Sequence, residues 1–68
     1  MRYAVIIEKA NGNYSAYVPD FPGCVATGRT IEDVQREIRP AIQFHIGGLR
    51  ADGLEVPEPS SIADYVEI

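Results

Sequence analysis

Two prolines three residues apart, in Val18-Pro19-Asp20-Phe21-Pro22-Gly23-Cys24, set the tightest limit on how this chain can fold. Proline has no amide donor and holds φ near −65°, so no β ladder can run through either position. Gly23, directly after Pro22, supplies the freedom for a reversal. The segment reads as a stiff connection that ends one strand and starts another.

The strands on either side follow from alternation. Arg2 to Lys9 is rich in β-branched residues, with Tyr3, Val5 and Ile7 on one face and Ala4, Ile6 and Glu8 on the other. Both faces are largely apolar, which predicts a central strand. Asn11-Gly12, within Ala10 to Asn13, is a strong hairpin signal, because both residue types accept positive φ. Tyr14 to Val18 then returns as the antiparallel partner. A third short strand is predicted at Cys24 to Gly28.

Thr30 opens a helix. Its hydroxyl stands three residues before Asp33, close to a capping box, and Glu32 and Asp33 sit at the positive end of the helix dipole. Ile31, Val34, Ile38, Ala41, Ile42, His45 and Leu49 recur at spacings of three and four and make one apolar stripe. Pro40 falls inside this pattern without interrupting it, so a kink is expected and not a stop. Gly47-Gly48 loosens the end, and Asp52-Gly53 closes the helix. Glu55 to Ser61, with Pro57 and Pro59, reads as an extended crossover. Ala63 to Ile68 reads as a last strand.

The predicted order is β-β-β-α-β, an α+β fold with a mainly antiparallel sheet and one helix on one face. The crossover makes the last strand parallel to the first and places the first at the centre. With 68 residues the chain is read as one domain, 1–68. A core of this size rarely supplies more than about 3–5 kcal/mol, and short sheet edges carry unpaired backbone groups. Self-association into a dimer or tetramer is therefore expected, with Tyr65, Val66 and Ile68 on the last strand packing across the contact.

The formal charge is −4 and the isoelectric point near 4.7, with the six basic residues scattered. Direct nucleic-acid binding is disfavoured, and a basic protein is the better electrostatic match. One cysteine allows neither an intrachain disulfide nor a zinc knuckle. The apolar run near the N-terminus is too short for a leader or a membrane span, so a cytoplasmic protein is expected.

No catalytic or metal-binding constellation stands out, and no cofactor is expected. The strand centres carry Val5, Ile6, Ala16 and Val66, where a metal nuclease would need acids. Asp20 lies on the loop, Glu32 and Asp33 act at the helix start, and Glu58 sits in the crossover. His45 lies on the apolar stripe and reads as a packing residue, and so does Cys24, which has no basic neighbour to lower its pKa. Ser60 and Ser61 follow proline and read as turn formers. Tyr14, Tyr17 and Phe21 are divided between two roles, filling the core and forming a recognition surface.

Tyr17 to Val34, YVPDFPGCVATGRTIEDV, resembles the signature of the HicB-like antitoxin family. The likeness extends back through Tyr3 to Tyr17 and forward through Asp52-Gly53 and Pro57-Glu58-Pro59-Ser60. It rests on the combination of Pro19, Asp20, Pro22, Gly23, Gly28, Thr30, Gly53, Pro57 and Pro59. The resemblance implies a partial ribonuclease-H-like fold of the same β-β-β-α-β order. It implies an antitoxin that binds a HicA-type toxin and masks the surface with which that toxin cuts messenger RNA, without being an enzyme itself. Tyr14, Tyr17, Asp20 and Phe21 are the expected partner-binding residues, and the Pro-Asp-Phe-Pro-Gly loop is scaffold. Many members carry a C-terminal DNA-binding segment, and none is expected within these residues. The alternative is an orphan, self-associating regulatory module of the same fold.

Overall fold

The computed structural model describes residues 1–68. Strands β1 (Ile6–Ala10) and β2 (Asn13–Tyr17) form the predicted hairpin around Asn11-Gly12. Strand β3 (Val25–Gly28) pairs antiparallel with β2, and the sheet order is β1-β2-β3. Ile7, Ala16 and Ala26 stand opposite one another on one face. Ile6, Tyr17 and Val25 do so on the other.

The predicted loop is a pair of back-to-back β-turns. The Phe21 amide donates to the Val18 carbonyl at 3.0 Å, and the Cys24 amide to the Phe21 carbonyl at 3.0 Å. Pro19 and Pro22 each take the second position of a turn, where their fixed φ is favoured. Gly23 takes the third position of the second turn with φ of 84°, a conformation that suits glycine. The Val18 amide closes the loop on the Cys24 carbonyl at 3.2 Å.

Helix α1 (Ile31–Ala51) starts as the sequence predicts, with Thr30 Oγ1 accepting the Asp33 amide at 3.0 Å. It stays one element through Pro40, which lies on the exposed side. At its end the Leu54 amide reaches back to the Leu49 carbonyl and the Gly53 amide to that of Arg50. That is a Schellman cap, and Gly53 supplies the left-handed residue it needs, at φ 70°. The helix packs on the inner face of β2 and β3. Between them lies a core of Ala16, Val18, Phe21, Cys24, Val34 and Ile38, the only buried residues. Tyr3, Val5 and Ile7 extend it on the β1 side, and Ala41, Ile42, Ile46 and Leu49 along the helix.

Two expectations about the C-terminal end need correction. Ala63–Ile68 forms no strand, and no residue beyond Leu54 takes part in a backbone–backbone hydrogen bond. β1 therefore has one neighbour, and β2 is the central strand. The tail does travel beside β1 in the predicted parallel sense: Ser61–Ala63 face Arg2–Ala4, and Ile62–Tyr65 face Val5–Ile7. Clefts of about 390 and 360 Å³ lie between them. A ladder needs backbone amides and carbonyls exchanged between neighbours, and the tail exchanges none with β1. The apolar character near β1 thus goes with core packing by Val5 and Ile7 on one face and, on the other, a half-buried Ile6 that shares a cleft with the tail.

Candidate functional site

The double turn points its two central side chains in opposite directions. Phe21 goes inward and is 1% exposed, with its ring centroid 4.6 Å from that of Tyr3 and 5.2 Å from the His45 imidazole. Asp20 points outward and holds the crossover. Its Oδ1 accepts the hydroxyls of Ser60 and Ser61 at 3.0 and 2.9 Å, and its Oδ2 accepts their amides at 3.2 and 3.4 Å. A second anchor lies close by in sequence, where the Tyr3 hydroxyl donates to the Pro57 carbonyl at 2.6 Å. Together these contacts fix the start of the tail to the loop and to the chain leading into β1.

Partial burial alone would raise the Asp20 pKa. The serine hydroxyls and amides outweigh that effect and bring the carboxyl below its usual value. Burial acts unopposed on Cys24 and pushes its thiol up, so it stays protonated at neutral pH and behaves as a small packing residue. His45 is half-buried against Phe21.

The residues singled out for partner contact separate into three places. Phe21, expected at a recognition surface, is at the centre of the core, where it offers no area to a partner. Tyr14 is half-buried at the edge of that core. Tyr17 is 41% exposed on the outer sheet face, aligned across the strands with Ile6 and the 63% exposed Val25. This apolar stripe crosses all three strands with no helix or strand over it, and at its β1 end the half-buried Ile6 shares a cleft with Ile62–Tyr65 of the tail. Tyr65, Val66 and Ile68 are all exposed on the tail. Of the motif residues, Pro19, Pro22 and Gly23 build the double turn, Thr30 and Gly53 cap the helix, and Pro57 accepts from Tyr3. Pro59 is half-buried beside the clamped serines. Gly28 allows close approach to the helix, since a Cβ there would meet the Val34 amide at 2.8 Å.

Sequence reasoning missed the pairing of Asp20 with Ser60 and Ser61, which lie 40 and 41 residues away. Proline on both sides hinted that each segment was held in one conformation. No short-range pattern linked them. No side-chain polar group is buried without a partner, and no three His, Cys, Asp or Glu side chains converge as metal ligands. No helix is long and apolar enough to cross a membrane.

Comparison with known proteins assigns a lineage. Residues 3–68 match the model of a family described as the HicB-like antitoxin of bacterial toxin–antitoxin systems. An uncharacterised 14.9 kDa protein from the rep–hol intergenic region of Haemophilus phage HP1 is 39% identical over 66 residues. That match covers 97% of this chain and 50% of the phage protein, so the chain spans half the length of that relative. A UPF0150 protein of Helicobacter pylori is 38% identical over 64 residues, covering 93% of this chain and 89% of its own. A UPF0150 protein of Synechocystis is 34% identical over 67 residues, covering 97% and 85%. No solved structure matches the chain.

Proposed function

The chain belongs to the HicB-like antitoxin family, and from that premise we propose that it binds a HicA-type toxin and neutralises it by masking the surface that binds and cuts messenger RNA. The observation that carries this reading is the family match across residues 3–68. The stripe of Ile6, Tyr17 and Val25 supports it, since an exposed tyrosine set among apolar residues is the kind of anchor that carries much of an interface's affinity. The formal charge of −4 supports it too, because a basic RNA-cutting partner is drawn toward a chain of net negative charge over distances longer than the contact itself.

On this reading Tyr17 touches the toxin, while Tyr14, Asp20 and Phe21 support the sheet and the tail from behind. The protein acts by occlusion and not by catalysis, in the cytoplasm, and does not bind nucleic acid directly. It works as a dimer or higher oligomer. Its fold is a partial ribonuclease-H-like one, with the tail as the remnant of the last strand.

Co-expression with a HicA-type toxin is the test. The wild-type chain should restore growth, and added salt should slow association in vitro. Tyr17→Lys, at an exposed position, should leave the fold intact and weaken neutralisation by about 30-fold or more, the loss typical of an interface hot spot. Continued killing beside a soluble, folded wild-type chain would overturn the proposal.

A further inference from the structure

The tail and the body of this chain carry opposite electrostatic characters. All six basic residues and five of the ten acids precede Ala51, which leaves a body of charge +1. The other five acids, Asp52, Glu55, Glu58, Asp64 and Glu67, follow with no basic residue among them, giving −5. Past the clamped serines, the tail also exposes Ile62, Tyr65, Val66 and Ile68. This short segment is both acidic and apolar, makes no backbone–backbone hydrogen bond with the body, and leaves these apolar side chains exposed.

The body offers a site of the opposite kind. An open groove of about 360 Å³ lies between the N-terminal residues and the helix, lined by Met1, Tyr3, Arg39, Ile42, Gln43 and Ile46. The last four share one helix stripe. Arg39 makes no ion pair, the single salt bridge of the molecule being Arg36 with Asp33. The groove is thus largely apolar, with the unpaired Arg39 guanidinium at its rim.

We propose that this groove receives the tail of a second copy, with Tyr65, Val66 and Ile68 against Tyr3, Ile42 and Ile46, and with Asp64 and Glu67 facing Arg39. The occupant cannot be the same chain's tail. That tail is anchored at Pro57 by Tyr3 and then runs past Val5–Ile7 toward the hairpin turn, away from the groove beside Met1. Each copy carries one groove and one tail, so a two-fold arrangement fills both. The clamp on Ser60 and Ser61 presents the tail already fixed at its root, which lowers the ordering cost of docking. This rests on the self-association in the function proposed above and names the surface that performs it.

Light scattering and sedimentation of the full chain at micromolar concentration test the idea. Wild type should have at least twice the 7.5 kDa mass of the chain. Arg39→Glu should weaken association by about tenfold or more, and the double change Asp64→Lys with Glu67→Lys should do the same. All three side chains are exposed, so the helical circular dichroism should not change. Mixing the two variants should restore assembly, because each tail then meets a groove of opposite charge. A monomeric wild type would end both the self-association reading and this one. Assembly that ignores both reversals, or a mixture that fails to recover, would overturn the groove alone and leave the toxin-binding reading standing.

Discussion

At the scale of single residues, Asp20 determines more than its place in a turn. Its carboxylate is where the loop and the tail meet, accepting four hydrogen bonds from two adjacent serines. An amide at this position has one acceptor oxygen and cannot serve all four donors. Asp20→Asn should therefore speed proteolysis within residues 57–68 while the signals of the core persist. Equal protection of the tail in the variant would show that Tyr3 and Pro57 hold it alone. Acid should act like the mutation. The folded-state pKa lies below the ordinary 3.8, so the contribution is complete above about pH 3.8 and is lost as pH falls through the lowered value. Tail resonances monitored between pH 5 and 2 should broaden before those of β2 and α1. Cys24 makes the opposite case: its buried thiol should react with alkylating agents only when the core opens.

At the scale of elements, what the sequence revealed depended on the distance between cause and effect. The hairpin was legible in Asn11-Gly12, the helix start in Thr30 and Asp33, and the helix end in Asp52-Gly53, because each signal lies within a few residues of the structure it controls. The tail was not legible in the same way. Ala63 to Ile68 has a strand's composition, but composition reports only that a segment suits a pleated surface. Pairing needs backbone groups exchanged with a neighbour, and the tail, anchored through Pro57, Ser60 and Ser61, exchanges none with β1. The residues expected at a recognition surface divided for a related reason. Tyr17 and Phe21 look alike as aromatics near a loop, and only the strand register and the double turn send one outward and the other inward. Two local joints carry clear expectations. Thr30→Ala removes the acceptor of the Asp33 amide and should cost about 1 kcal/mol. Gly28→Ala forces a Cβ to 2.8 Å from backbone of the helix and should cost about 1–3 kcal/mol. Urea unfolding measures both, and a neutral Gly28→Ala would mean that the helix shifts freely on β3.

At the scale of the whole molecule, the small core ties stability to the proposed self-association. Six buried residues in a chain of 68 leave little reserve. A domain of this size holds about 3–5 kcal/mol, and truncating a buried phenylalanine costs about 3–5 kcal/mol. Phe21 is the largest of the fully buried side chains and touches both Tyr3 and His45. Phe21→Ala should therefore bring the isolated chain to the edge of unfolding. Binding only to the folded form adds back about 2.7 kcal/mol when the partner stands at 100 times its dissociation constant. The variant should thus be mostly unfolded when dilute and, under the proposed self-association, regain helix as its own concentration rises. Phe21→Leu removes less volume and should stay folded at every concentration, with a lower melting temperature. Circular dichroism melts across a wide concentration range separate the cases. A cooperative Phe21→Ala melt at the wild-type temperature would mean that the aromatic cluster under the double turn does not hold this fold together. A low but concentration-independent melt would mean that it does, in a chain that folds without a second copy.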